Sequence, residues 1–352
     1  MKTPFEIICS LVSSPSVTGT EKILTGEIFR TVLKQFDDSY CDELGNVIVK
    51  FSGNGKKKKK ILVEAHRDVI GLCVKSILDG GFFSVAPCGG FSFETLPGNL
   101  WLLKKRDGSF IHAVSASIPP HLLKNGSSQK QSLQDLYFNS PYFTKKELES
   151  NISIGDTLYF GTKPVRLQNN QIASPYLDNF AAVTALILTM NEICVPNHDL
   201  YFLFSVGEES TSSGVRYAAR RVKPDLGLVL DAGFGRTEGL NHYNCIDIGK
   251  GPSVSMTDTL SREAENWVYA VAGDRQVSIQ RIAEPGGTGT SGTAMSLMNG
   301  GVPTALISIP VKNMHTQSEI VSENDILETV KLLTYLLHEN KIPFFGEERC
   351  EK

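Results

Sequence analysis

Three short runs of almost uninterrupted apolar residues constrain this chain most: ILVEA at 61–65, YFLFSV at 201–206 and LGLVL at 226–230. Strands that read this way are buried on both faces, as in a largely parallel sheet covered by helices above and below. Segments with apolar residues at helical spacing, 179–193, 293–298 and 326–337, supply the covering layers. The spacing therefore predicts a three-layer α/β/α domain with a mainly parallel central sheet. Nearer the start, the pattern predicts a helix around Phe5–Val12, a second beginning near Glu21, and a strand at NVIVKF. Lys56–Lys60 follow SGNG and precede ILVEA, which suits a solvated hairpin turn between two strands better than a patch for an anionic partner.

The middle of the chain reads differently. From about 72 to 171 the runs are short and alternating, with turn signals at LDGG, RDG and QNNQ and one helical stretch near Lys145–Glu149. This predicts a small β domain (72–171) inserted into a discontinuous α/β domain (1–71 and 172–352).

Thirty-five Lys plus Arg against 38 Asp plus Glu give a net charge of −3, which offers no electrostatic reason to expect nucleic acid. Seven cysteines are odd in number and scattered, as expected for free thiols in a reducing compartment rather than a disulfide framework or thiolate metal site. Glu6 interrupts the apolar N-terminal stretch, so neither a signal peptide nor a membrane anchor is expected, and the expected location is cytoplasmic.

Acids and histidines collect where the buried runs end, the edge at which open α/β sheets bind ligands. His66 and Asp68 follow ILVEA two residues apart, sharing a face on an extended backbone, so an imidazole ligand with an orienting carboxylate and an ordinary histidine both fit. Asp178 and Asn179 precede a long apolar helix, where they suit a cap or, for Asp178, a carboxylate bridging two cations. Glu208 and Glu209 leave YFLFSV through Gly207, either as a metal ligand beside a proton acceptor or as a solvated turn. Asp231 follows LGLVL, and His315 follows the run ending in SIPVKNM. Each has an ordinary structural reading, but together His66, Asp178, Glu209, Asp231 and His315 form the mixed nitrogen and oxygen set that suits a pair of divalent ions.

These residues stand in motifs, EAHRDVIG, YLDNFAAV, GEESTSSGVRYAA, LDAGFG and GGVPTALISIPVKNMHTQSEIV, whose order and spacing resemble the di-metal glutamyl aminopeptidases and tetrahedral aminopeptidases along nearly the whole chain. The resemblance implies an α/β peptidase domain with an inserted β dimerisation domain and a homo-oligomer, from dimer to dodecamer. It implies that Asp178 bridges two Zn2+, Co2+ or Mn2+ ions, with Glu209 and His315 completing one site and His66 and Asp231 the other. Glu208 would be the general base, Asp68 would orient His66, and the substrates would be short peptides cleaved at their N-terminal bond.

The chain departs from the family pattern in three places. Arg67 and Val69 replace the usual Met and Glu of AHxDxIG, and Phe180 stands where an Arg is usual. In GGTGTSGTAM the acid of the family's GGTD loop is missing, replaced by Gly289 or Ser291. Arg67 would either bring positive charge to the cleft and favour acidic substrates or point into solvent. The Gly286–Gly292 loop lacks a nucleotide-binding context and reads as a flexible cleft wall. His121 in PPHLL suits a subunit contact or a structural role. Two rivals remain at this stage: an N-acyl amino acid or small-amide hydrolase using the same metals, and a catalytically silent scaffold, against which the intact Glu208 argues.

Overall fold

The computed structural model describes residues 2–21, 27–105, 107–117, 133, 136–241, 243 and 245–342. Eight strands form the central sheet: β1 (Ser39–Cys41), β2 (Val47–Phe51), β3 (Lys60–His66), β4 (Asp199–Ser205), β5 (Leu226–Phe234), β6 (Ser253–Met256), β7 (Gln280–Ala283) and β8 (Thr304–Val311). Their order across the sheet is β7-β6-β8-β5-β3-β4-β2-β1. The middle four are mutually parallel, and antiparallel pairings of β6 with β8 and of β2 with β4 join on the flanks.

The helices are α1 (Pro4–Val12), α2 (Glu27–Gln35), α3 (Lys145–Glu149), α4 (Leu177–Glu192), α5 (Ser213–Val222), α6 (Arg262–Asp274), α7 (Ser291–Ser296) and α8 (Glu323–His338). Alternation along β3 divides its side chains between two cores. Ile61, Val63 and Ala65 join the large core with α1, α4 and α8, while Leu62 packs with Val215, Ala218, Ala294 and Met295 of α5 and α7. This is the α/β/α sandwich the apolar runs predict. None of the described helices is long and apolar enough to cross a membrane.

The Lys56–Lys60 segment is not a hairpin turn, because β4 lies between β2 and β3. Apolar continuity signals burial but carries no information about adjacency. Lys60 itself begins β3, and Lys58 pairs with Asp199 at 3.0 Å. Glu21 lies in a turn and α2 is described from Glu27, so the helix start expected near Glu21 falls on 22–26, outside the described residues.

Strands Gly71–Ile77, Phe82–Cys88, Leu100–Lys104, Phe110–Ala116, Tyr137–Asn139 and Thr157–Phe160 close into a barrel. Its interior includes Phe83, Leu103, Phe138 and Trp101, the last stacked on Phe160 at 4.7 Å. The barrel ends at Phe160, ahead of the boundary expected at 171. The strand pair around QNNQ, Val165–Leu167 and Gln171–Ser174, instead joins Glu319–Ser322 in a separate three-stranded sheet.

Candidate metal centre and active site

β3 and β5 run side by side in parallel with Val229 opposite Glu64, so two residues on, His66 and Asp231 stand together at the carboxyl edge of the sheet. His66 Nε2 lies 3.4 Å from Asp231 Oδ1 and 3.4 Å from Asp178 Oδ1. Its Nδ1 lies 3.0 Å from the Asp68 carbonyl oxygen and 3.6 Å from the Asp68 carboxylate. The imidazole is thus oriented chiefly by the backbone of Asp68.

The other members arrive on loops. Asp178 stands at the start of α4, where Tyr176 is left-handed (φ 65°) and no side chain caps the helix. Its carboxylate turns into the site, with Oδ2 3.2 Å from His315 Nε2. Glu208 and Glu209 follow Gly207, whose φ of 70° suits glycine, and Glu209 Oε1 lies 3.7 Å from His315 Nε2. Glu208 Oε2 stands 3.9 Å from His66 Nε2.

Two buried acids hold these loops through backbone amides. Asp68 accepts from the N–H groups of Glu208 and Glu209, both at 3.1 Å. Glu319 accepts from those of Asp178 at 2.9 Å and His315 at 2.8 Å. A third, Glu21, accepts from Gly207 N–H at 3.0 Å. From the barrel side, the Gly89–Gly90 backbone passes close by: a Cβ on Gly90 would sit 3.2 Å from His315 Nδ1.

So many enclosed acids shift one another. Burial, reinforced by Asp231, Asp178 and Asp68, pushes Glu208 up to about 9, and burial with Asp178 raises Glu209. Burial works against charge on His66 and Asp178 as well, yet the neighbouring carboxylates raise the His66 pKa, while His315 and His66 lower that of Asp178. Asp178 Oδ1 and Glu209 Oε1 are enclosed without a hydrogen-bond partner. Donor atoms of His66, Asp178 and Glu209 lie within 4.8 Å of one another, a triad able to hold a metal ion. Orphaned oxygens beside imidazole nitrogens are what a cation would satisfy.

All seven site residues expected from the sequence meet here. Glu21, Glu64 and Glu319 escaped that reading. Glu64 sat inside an apolar run and Glu319 in a quoted motif, and nothing in either context marks a long-range partner. Burial pushes Glu64 up to about 8, with Ser205, His66 and Ser291 opposing.

Arg67 neither lines the cleft nor points into solvent. One residue past His66, it turns to the opposite side of the sheet, 1% exposed, donating to the carbonyls of Glu21 and Gly45 and lying over the Phe29 ring. Phe180 is likewise in the core, packed edge-on against Tyr176, and does not line the cleft. His121 lies outside the described residues.

A cleft of about 200 Å³ opens over the cluster, lined by Asp178, Glu208, Glu209, Asp231 and His315, with Thr288, Gly289 and Thr290 of the glycine-rich loop as one wall. Glu284 also lines it, and no Lys or Arg does among the described residues.

Residues 45–332 match the family model described as M42 glutamyl aminopeptidase, a metal-dependent family. The lysyl aminopeptidase of Pyrococcus furiosus is 30% identical over 341 residues, covering 96% of this chain and 97% of the relative. The glutamyl aminopeptidase of Lactococcus lactis subsp. cremoris is 26% identical over 311 residues, covering 84% and 85%. Among solved structures, the TET1 peptidase of Pyrococcus horikoshii, which can assemble into a tetrahedron or a large octahedral shell, superposes with a TM-score of 0.82 at 24% identity, covering 96% of this chain and all of that one. With the family model spanning most of the chain, this protein belongs to the M42 glutamyl aminopeptidases and is an aminopeptidase.

Proposed function

We propose that the cluster holds two divalent cations, Zn2+, Co2+ or Mn2+, with Asp178 as bridge, His66 and Asp231 on one side and Glu209 and His315 on the other. The observation that carries this reading is the split of the Asp178 carboxylate: its two oxygens face two different imidazoles, each with a further acid beside it. When bound, such ions acidify a water and polarise a carbonyl. Glu208 takes the proton of the attacking water and returns it to the leaving amine. Asp68 positions Glu208 and Glu209 through their amides, and the Thr288–Thr290 wall confines the N-terminal residue of a short peptide.

Charge supports a side-chain preference. Asp178, Glu208, Glu209 and Asp231 balance two divalent ions, which leaves Glu284 as a surplus negative charge in the cleft. That favours neutral or basic N-terminal residues over acidic ones, in line with the lysyl specificity named for the Pyrococcus furiosus relative. The inserted barrel is the proposed oligomerisation domain of a homo-oligomer, in keeping with the assemblies of the Pyrococcus horikoshii peptidase. Six free cysteines among the described residues suit a cytoplasmic setting.

Titrating chelated protein with each metal while assaying leucyl-, lysyl-, glutamyl- and aspartyl-anilides tests the reading. Activity should appear near two equivalents and fall about 10²–10⁴-fold in Glu208→Gln with the metals still bound. Binding of both metals without turnover of any free-amine substrate would sink it.

A further inference from the structure

The loop that walls the cleft lacks the acid its family carries, while an enclosed acid on β3 has no part in the chemistry above. Glu64 is 1% exposed, between Leu203 of β4 and Val229 of β5 in the ladder. It shares a strand face with Leu62 and His66. Leu62 packs on Ala294 and Met295 of α7, so the same face of β3 looks toward that helix.

Ser291 opens α7 and is also 1% exposed. Ser291 is also among the groups that draw the Glu64 carboxyl down against its burial. The Ser205 hydroxyl donates to Glu64 Oε1. Glu64 Oε2 and Ser291 Oγ, by contrast, are both enclosed without a hydrogen-bond partner, each the complement the other needs. Position 289 offers no such enclosure: a Cβ there would meet nothing within 4 Å. Of the two positions left open, 291 is thus the enclosed one, and Glu64 brings a carboxyl to the face of β3 that looks toward it.

We propose that Glu64 is a positioning residue that replaces the missing loop acid from β3, tying Ser291 and the Thr288–Thr290 wall to the strand that carries His66. Buried acids without a cation beside them are retained at a cost in stability, so a defined partner at the start of α7 gives this one a reason to persist. The inference rests on reading the cleft as the aminopeptidase site, since it is the substrate wall that Glu64 fixes.

A crossed pair of substitutions in the metal-loaded full chain tests it, with KM and kcat for an aminoacyl-anilide and the urea midpoint as independent readouts. Glu64→Ala should raise KM about tenfold and change kcat less, because the wall moves while the metal ligands stay. Ser291→Asp alone places two acids face to face and should lower the midpoint. Combined with Glu64→Ala, the same substitution should raise the midpoint above that of Glu64→Ala and bring KM to within about threefold of the parent. Should Glu64→Ala not fold, Ser291→Asp in a Glu64→Gln background makes the same comparison, and it should be milder there than in the parent. Unchanged KM in Glu64→Ala, or a Ser291→Asp penalty that is equal in every background, overturns the proposal. Failure of the aminopeptidase reading would show separately, as a parent chain that turns over no free-amine substrate whatever the midpoints do.

Discussion

His66 and Asp231 reach the site from the ends of adjacent parallel strands, whereas Asp178, Glu208, Glu209 and His315 reach it from loops. The strand pair is placed by the β ladder, whose register leaves little freedom. The loop members have no ladder, and three of their approaches pass through left-handed backbone at Tyr176, Gly207 and His315. Their positions are fixed by Asp68 and Glu319, each accepting two amides from these loops. One half of the centre is thus a product of sheet geometry and the other of buried carboxylates outside the proposed ligand set.

Removing Glu319 is the strongest way to break that comparison. Glu319→Ala strips the acceptor from both Asp178 and His315, leaving two enclosed amides unsatisfied at about 1–3 kcal/mol each. Both loop members should shift, lowering metal affinity and kcat/KM about 10²-fold or more. A direct titration of the chelated variant checks this: affinity within a few-fold of the parent would mean the loops hold themselves.

Asp68→Asn is the milder counterpart, expected to lower kcat/KM about 10–100-fold. Its amide keeps one acceptor oxygen for the loop, and the His66 ring keeps the Asp68 carbonyl. The loss should therefore fall on kcat, through Glu208, more than on metal affinity. Equal losses in both would assign Asp68 to His66 instead.

The strand-borne half was the more legible in the sequence. An apolar run ending in a polar residue marks the sheet's carboxyl edge locally, so His66 and Asp231 could be placed from their own segments. Asp178, Glu208, Glu209 and His315 could also be picked out from their own segments, at a helix start and past the ends of apolar runs, but the buried acids that fix their loops could not. Glu319 serves Asp178 from 141 positions away, and no local pattern announces such a bond. Alternation past His66 was readable in principle, and applying it would have sent Arg67 to the opposite face. The barrel was visible as turns and short strands, but its closure depends on pairings between distant segments.

The pH response of metal-free protein sharpens the same contrast. Glu64 and Glu208 hold protons up to about 8 and about 9, and Glu209 and His66 are also raised, so between about pH 5 and 9 the folded chain binds more protons than the unfolded one. Stability must then fall as pH rises through that window. Bound dications favour the deprotonated acids and the neutral imidazole, so loading should flatten the fall. Urea midpoints across the window, with and without chelator, read this directly, and a metal-free midpoint rising toward pH 9 would contradict the burial of these acids.

The smallest effect on turnover belongs to Arg67, although it adjoins His66. Its guanidinium is on the far side of the sheet, bound to the carbonyls of Glu21 and Gly45. Arg67→Met should destabilise the fold by about 2–4 kcal/mol, through carbonyls left without donors. The ratio of glutamyl- to leucyl-anilide kcat/KM should stay within about twofold of the parent, because no charge has left the cleft. A selective loss of glutamyl turnover would place Arg67 in the substrate's electrostatic field and undo the division between the two faces of β3. Destabilisation with the substrate ratio intact would confirm that a single step along an extended backbone separates a proposed metal ligand from a purely structural cation.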